Sequence, residues 1–150
     1  MKQQLMLAIV WLATCSYPAL SADHLHLNPK LDYSSDRQDG PLITGEHMQQ
    51  GVIPGKPNYV IFFQEGCFNS KRQARRTVEL YEKYRDRVNF VVVDLDRSPS
   101  SEQQELARKY YRNYIPHVTI LDAQGDALYD QSGEVESSRV STLLDQALQK

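Results

Sequence analysis

The stretch YVIFFQEGCFNSK (residues 59–71) decides the fold, because an apolar run passes through a short turn into a charged, helix-forming segment. Residues 59–63 are aromatic or β-branched, a composition that is typical of a buried strand. Beyond the turn, apolar residues recur at spacings of four and three, which predicts a helix over about residues 69–85. The sequence therefore predicts a strand, a turn that contains Cys67, and a helix that begins directly after the turn.

Cys67 is the main candidate for a chemical role, because it stands where this helix begins. The unpaired backbone N–H groups and the dipole of a helix start stabilise a negatively charged sulfur, and so favour a nucleophile. Basic residues in the first two turns act in the same direction, namely Lys71, Arg72, Arg75 and Arg76. The alternative is a small buried side chain with no chemistry, which is the common fate of a lone cysteine.

The rest of the chain predicts an α/β domain. Residues 88–94 form a nearly continuous β-branched run, which fits a strand covered on both faces. A helix follows, then two strands over residues 117–121 and 126–130 that are joined by a glycine-containing turn. The last helix is predicted to be capped by Ser137 or Ser138. The predicted order is β-α-β-α-β-β-α, with a central mixed sheet flanked by helices.

The amino end has the pattern of a secretory signal peptide. Lys2 precedes an apolar run at residues 5–13, which is too short to span a membrane, and small residues follow it. We therefore expect residues 1–22 to be a signal peptide that is cleaved after Ser21 or Ala22.

Cys15 supports a second interpretation of this segment. LATC (residues 12–15) resembles a bacterial lipobox, in which the cysteine is lipidated and anchors the protein in a membrane, although threonine departs from the usual residue before that cysteine. Conventional cleavage would instead leave Cys67 as the sole thiol, with no partner for an internal disulfide. Either way we expect export, to the bacterial periplasm or envelope, with membrane contact only if Cys15 is lipidated.

Net charge and the polar segment after residue 22 bear on the partners and on the domain boundaries of the chain. A net charge of -2 gives no reason to expect a nucleic-acid partner. Residues 23–44 are polar and contain proline and glycine, so we expect a flexible leader, followed by a domain over residues 45–150.

Cleavage after Ser21 would place His24 third in the mature chain, where an amine, two amides and an imidazole can bind Cu(II). No other cofactor or metal is expected.

The predicted order resembles the thioredoxin fold over roughly residues 45–150. Four stretches carry the resemblance, and one of them, LDAQG (residues 121–125) with Gly133 beyond it, looks like the family's last hairpin. FFQEGCFNSK (residues 62–71) sits where that family has its aromatic strand end, active turn and following lysine. VDLDRSP (residues 93–99) is similar to the family's strand exit, and YIPH (residues 114–117) falls where the family places a cis-proline opposite the active turn.

The resemblance implies a site. Cys67 would be the nucleophile, and Pro116 would be cis with its ring against Cys67. The backbone of Ile115 would pair with an extended client peptide, and Phe68 would add to the same client-binding surface. The resemblance thus predicts client proteins as the partners of the chain.

The departures from the family pattern shape the functional prediction. Ser70 replaces the second cysteine, so its hydroxyl can hydrogen-bond the Cys67 thiolate but cannot resolve a mixed disulfide. The family's buried acid falls at Ile61. His117 is an auxiliary candidate that either pairs with Cys67 or faces solvent or a backbone acceptor, and Lys71 is a second auxiliary candidate.

Three functional interpretations stay open at this point. In the first, an exported thioredoxin-like protein exchanges disulfides with clients through Cys67, and an external thiol completes the cycle. In the second, the domain is a redox-silent binding or adaptor module of the bacterial envelope. The third is a copper-handling protein that uses His24 or Cys67. Whether the protein is an enzyme, and whether Cys67 links two copies into a dimer, are left open.

Overall fold

The computed structural model describes residues 19–150. The strands are β1 (Asp23–Leu27), β2 (Ile43–Glu46), β3 (Asn58–Phe63), β4 (Asn89–Asp94), β5 (His117–Leu121) and β6 (Ala127–Ser132). The helices are α1 (Phe68–Tyr84), α2 (Ser101–Tyr110) and α3 (Ser137–Gln149). Cys15 and most of the predicted signal peptide lie outside the described residues. Within residues 19–150, no helix is long and apolar enough to cross a membrane.

The central sheet has four strands in the order β4-β3-β5-β6. β3 and β4 are parallel, whereas β3 with β5 and β5 with β6 are antiparallel. β3 is buried at all six positions, because it lies inside the sheet and carries apolar residues toward both faces. The predicted α/β class is confirmed, and the elements from β3 to α3 follow the predicted order β-α-β-α-β-β-α.

Alternate residues of β3 face opposite sides of the sheet. On one side lies the larger core, where Tyr59, Ile61 and Phe63 pack with buried residues of α1 and α3. On the other side, Val60 and Phe62 pack with buried residues of α2. Both faces of the strand that leads to Cys67 are thus fixed by burial, which stabilises the position of the turn after it.

Residues 23–44 are not a flexible leader, and that prediction is wrong. β1 and β2 pair antiparallel in a separate two-stranded sheet that packs against α1. Leu25, Leu42 and Ile43 are buried in the larger core. The polar composition of this segment hides a few well-placed apolar residues, and their burial orders the segment.

The predicted cap of the last helix is also wrong. Glu136 occupies the position before α3, and no side chain caps the helix there. Its carboxylate instead accepts a hydrogen bond from Arg76 Nη2 of α1 at 2.8 Å. Ser137 and Ser138 lie inside the helix as its first two residues. This contact joins α1 to the start of α3.

Candidate thiol site

Cys67 is the residue that caps α1. Its backbone is extended, with φ −99° and ψ 119°, and its carbonyl accepts the first helical hydrogen bond from the amide of Lys71 at 3.0 Å. Its Sγ accepts a hydrogen bond from the backbone amide of Ser70 at 3.4 Å. The side chain is half-buried and is a free thiol. The sulfur therefore lies where the helix start stabilises negative charge on it.

Ser70 has a different contact from the one the sequence predicts. Its amide, and not its hydroxyl, donates to Cys67 Sγ. The residue is fully buried, and within residues 19–150 its Oγ has no hydrogen-bond partner. The predicted hydroxyl–thiolate bond is therefore corrected to an amide–sulfur bond.

The turn before Cys67 is held by the loop that follows β4. The amide of Glu65 donates to Asp96 Oδ2 at 2.7 Å, and the side-chain amide of Gln64 donates to Asp96 Oδ1 at 3.3 Å. Arg97 Nε donates to the buried Glu65 carboxylate at 2.6 Å. Asp96 and Arg97 lie within residues 93–99, which carry part of the family resemblance, but no pattern in the sequence predicts these contacts. Their spacing in the sequence carries no signal of the contacts, because they form between two separate loops.

Cys67 opens onto a small polar cleft. The cleft has a volume of about 240 Å³ and is lined by Gln38, Gln64, Gly66, Cys67 and Asp96. Gln38 comes from the segment between β1 and β2, which the sequence predicted to be flexible. The sulfur is thus approached by chain segments from three parts of the sequence.

The end of the sheet that carries this turn also carries Pro116. The peptide bond between Ile115 and Pro116 is cis, as the resemblance implies. Phe62 pairs with His117 across β3 and β5, so residues 115–116 lie at the same end of the sheet as the turn that follows β3. Ile115 is half-buried, and Phe68 is exposed at the start of α1.

His117 is neither paired with Cys67 nor exposed to solvent. It is fully buried, its Nδ1 lies 2.8 Å from Ser132 Oγ, and its Nε2 lies 2.7 Å from Asp130 Oδ1. Both ring nitrogens are therefore engaged by β6, which pairs with β5. The predicted pair of His117 with Cys67 is therefore wrong, and His117 instead joins β5 to the neighbouring strand β6.

Most of the basic side chains predicted to lie around the sulfur form hydrogen bonds with other parts of the protein. Lys71 is fully buried and donates to three backbone carbonyls of the segment between β1 and β2. Arg72 Nε and Arg76 Nη1 each donate to Glu134 at 3.1 Å, whereas Arg75 is exposed. The described polar contact of the sulfur is therefore with the Ser70 amide at the start of α1, and not with a cluster of free cations.

The copper interpretation of His24 does not fit the structure. The amide of His24 donates to the Tyr81 hydroxyl at 2.9 Å, and residue 24 is part of β1. Both ring nitrogens of His26 have partners, the His24 carbonyl at 2.8 Å and Thr44 Oγ1 at 2.9 Å. A Cu(II) chelate of the predicted kind needs the amide of residue 24 as a ligand, and that amide is already used inside the fold.

Asp94, at the end of β4, is the most perturbed carboxyl group beside the turn. Its side chain is 13% exposed, and burial raises its pKa from 3.8 to about 7. The neighbouring carboxylates of Glu65 and Asp96 raise the pKa further, while the hydrogen bond from the Asp96 amide opposes the shift. Arg97 Nε lies 3.7 Å from Asp94 Oδ2. Between about pH 4 and 7, Asp94 is therefore protonated in the folded protein and ionised in the unfolded chain.

This proton gives a testable pH dependence. Because the pKa of Asp94 is higher in the folded state than its ordinary value of 3.8, its contribution to stability is fully present below pH 4 and is lost as pH rises through about 7. Asp94→Asn keeps the acceptor for the Asp96 amide and removes the charge. We expect it to raise the free energy of unfolding at pH 7.5 by on the order of 1 kcal/mol and to flatten the dependence between pH 4 and 7.

Urea unfolding across this pH range measures the effect. Asp86→Asn, a change at an exposed aspartate between α1 and β4, is the control and should leave the wild-type dependence in place. An Asp94→Asn protein with the wild-type pH dependence would show that this carboxyl group does not hold the proton.

Comparison with known proteins agrees with this architecture. Residues 46–148 match the family model described as a thioredoxin-like domain. A chloroplastic thioredoxin-like protein of Arabidopsis thaliana is 27% identical over 109 residues, which cover 71% of this chain and 40% of that protein. A thiol:disulfide interchange protein TxlA homolog of Synechocystis sp. is 28% identical over 99 residues, which cover 61% of this chain and 53% of that protein. The chain thus spans about half or less of the length of these relatives.

Solved structures share the fold. A thioredoxin-2 described as a component of malaria parasite protein secretion machinery superposes with a TM-score of 0.53 at 22% identity, covering 63% of this chain and 86% of that one. An uncharacterized thioredoxin-like protein from Clostridium perfringens gives 0.53 at 20% identity, covering 64% and 74%. At these identities the likeness shows the fold alone. With the family match over residues 46–148, it follows that this chain belongs to the thioredoxin-like family.

Proposed function

We propose that this protein is an exported thioredoxin-like protein that exchanges disulfides with client proteins through Cys67 alone. The observation that carries the proposal is a free, half-buried sulfur at the start of α1, with serine at the position of the second cysteine. Thioredoxin-like relatives, among them one named as a thiol:disulfide interchange protein, support a thiol–disulfide redox role. The single-cysteine mechanism, the clients and the export belong to the proposal.

The exchange begins with the Cys67 thiolate. Its sulfur bonds to one sulfur of a client disulfide as the client S–S bond breaks, and the other client sulfur leaves as a thiolate. The Ser70 amide donates to Cys67 Sγ and so stabilises the negative charge before attack and after release. Ser70 cannot attack the mixed disulfide, so an external thiol must release the client.

The client would be held at the end of the sheet that carries residues 115–116. An extended peptide could pair there with the backbone of Ile115, in the manner of strand addition. Phe68 presents an exposed ring at the same end, and the guanidinium of Arg72 lies 5.0 Å from its centre. These residues supply an apolar contact next to the nucleophile, which suits a peptide segment better than a small charged ligand.

The proposed location is the periplasm or envelope of a bacterium. It rests on the predicted signal peptide at residues 1–22, with lipidation of Cys15 as the alternative form of export. An oxidising compartment supplies disulfide-bonded clients.

A second candidate function is a redox-silent binding module that holds a peptide in the same place. The observation that favours it is the loss of two chemical groups. Ile61, at the position of the family's buried acid, is fully buried and apolar, and Ser70 offers no second thiol. Cys67 also has a structural role as the cap of α1.

Reaction with the small aromatic disulfide dithiobis(nitrobenzoate) separates the two functions. The exchange proposal predicts that the reduced, folded protein releases one equivalent of thionitrobenzoate and keeps the second on Cys67 until another thiol is added. A sulfur that reacts only after the protein is unfolded would overturn the exchange proposal and favour the binding module.

A further inference from the structure

Lys71 has a set of contacts that neither the family nor the proposed exchange explains. Its side chain is fully buried, and its Nζ donates to the backbone carbonyls of Asp32 at 2.8 Å, Ser35 at 2.6 Å and Arg37 at 2.8 Å. A lysine ammonium has three N–H groups, so all of its donors are used. The three carbonyls belong to residues 28–42, between β1 and β2, which we name the clamped loop. Lys71 therefore fixes the clamped loop against the first turns of α1.

The clamped loop reaches the turn that carries Cys67. A Cβ on Gly66 would lie 3.4 Å from the Asp36 carbonyl oxygen and 3.4 Å from Gln38 Cβ, so the loop and the turn are in close contact. Gln38 also lines the polar cleft beside Cys67. Lys71 thus holds in place one wall of the cleft onto which the sulfur opens.

The size and lining of this cleft indicate what could enter it. A volume of about 240 Å³ is below the usual range for drug-sized ligands. A small thiol fits such a space, whereas a thiol on a folded protein would meet the clamped loop, whose Gln38 lines the cleft beside Cys67. The lining side chains are the amides of Gln38 and Gln64 and the carboxylate of Asp96, which suit a polar molecule.

We propose that Lys71 is a positioning residue whose clamped loop restricts the Gln38 side of Cys67 to a polar thiol of low molecular weight, which resolves the mixed disulfide. The inference rests on the proposed exchange function and names the class of its external thiol. It applies to the cleft side of the sulfur, whereas the client approaches from the side of residues 115–116.

The chemical step balances with two small thiols. The thiolate of the first bonds to Cys67 Sγ as the bond to the client sulfur breaks, and the client leaves as a thiolate that takes up a proton. A second small thiol then attacks the small-molecule sulfur and frees the Cys67 thiolate. The client mixed disulfide is reduced, and two small thiols are oxidised to one small disulfide.

The test uses the Cys67–thionitrobenzoate adduct and two reductants, cysteamine and a folded protein with one surface cysteine. Each rate of release is divided by the rate of the same reductant with free dithiobis(nitrobenzoate). For the wild type, we expect this normalised rate of release to be at least about tenfold higher with cysteamine than with the protein thiol. Mass spectrometry of early samples should show cysteamine attached to Cys67.

Variants then separate positioning from folding. Lys71→Met should bring the ratio of the cysteamine rate to the protein-thiol rate close to one, and Lys71→Arg should lower this ratio less. Lys83→Met, at an exposed lysine of the same helix, should leave the ratio unchanged. Gln38 is exposed, so Gln38→Trp should fold normally while its larger side chain fills the cleft, lowering the cysteamine rate by about tenfold. Gln38→Trp decides the question if Lys71→Met does not fold.

Two results would overturn the inference. One is a wild-type ratio near one, and the other is a cysteamine rate that Gln38→Trp leaves unchanged. Either result, in a protein that forms the adduct while folded, removes the role of the clamped loop and leaves the exchange function intact. A folded protein that forms no adduct overturns the exchange function and this inference with it.

Discussion

Replacing Ser70 with cysteine is expected to give a site that resolves its own mixed disulfide. The backbone amide of residue 70 already lies 3.4 Å from Cys67 Sγ, one turn along the start of α1. The Ser70 hydroxyl is buried and has no hydrogen-bond partner within the described part of the chain, so its replacement by a thiol costs no hydrogen bond there. The introduced thiol would attack Cys67 within one molecule, and the client would leave without an external thiol.

The expected gain is large because an intramolecular attack has an effective concentration far above that of a dissolved thiol. A lifetime of the mixed disulfide at least about a thousandfold shorter is a conservative expectation. With one equivalent of dithiobis(nitrobenzoate) per protein and no added reductant, the wild type should release one equivalent of thionitrobenzoate, whereas the Ser70→Cys variant should release two and keep none. Ser70→Ala is the matched control and should still release one. A Ser70→Cys protein that retains the second equivalent would show that position 70 cannot reach the sulfur.

Changing Cys67 itself should separate its chemical role from its structural role. Cys67→Ser and Cys67→Ala should both abolish release of thionitrobenzoate, because no nucleophilic sulfur is left at the start of α1. Serine can accept the hydrogen bond from the Ser70 amide, as the sulfur does. Cys67→Ser should therefore keep the wild-type free energy of unfolding within about 0.5 kcal/mol, whereas Cys67→Ala should lose about 1 kcal/mol.

Urea unfolding and the thionitrobenzoate assay measure the two roles on the same samples. An alanine variant as stable as the wild type would show that the sulfur does not cap α1. A folded serine variant that still releases thionitrobenzoate would place the reactive group elsewhere in the protein.

Local patterns predict the strand, the turn and the helix around Cys67 well. The run at residues 59–63 lies in β3, and the periodic stretch that follows forms α1 within one residue of the predicted bounds. These signals depend on near neighbours in sequence, because alternating and helical patterns are set by the local backbone. The same reasoning failed for residues 23–44, where isolated apolar residues become buried only when the segment meets α1.

The partners of the site residues could not be predicted, because they come from distant parts of the chain. Lys71 binds carbonyls that precede it by 34 to 39 residues, and nothing near Lys71 in sequence marks them as acceptors. His117 binds Asp130 and Ser132 because β5 and β6 pair in a register that a single sequence does not specify. The identity of the nucleophile is a local property, whereas the walls of its cleft are a property of the whole fold.

The most direct test of the central claim is to trap clients on the wild-type protein in extracts of the cells that produce it. Samples are alkylated at once, run without reductant, and the linked residue is identified by peptide mass spectrometry. The account predicts protein adducts that are linked through Cys67, are released when a thiol is added, and are absent from the Cys67→Ser variant. Adducts that persist in that variant, or an untouched Cys67 in every sample, would contradict the account.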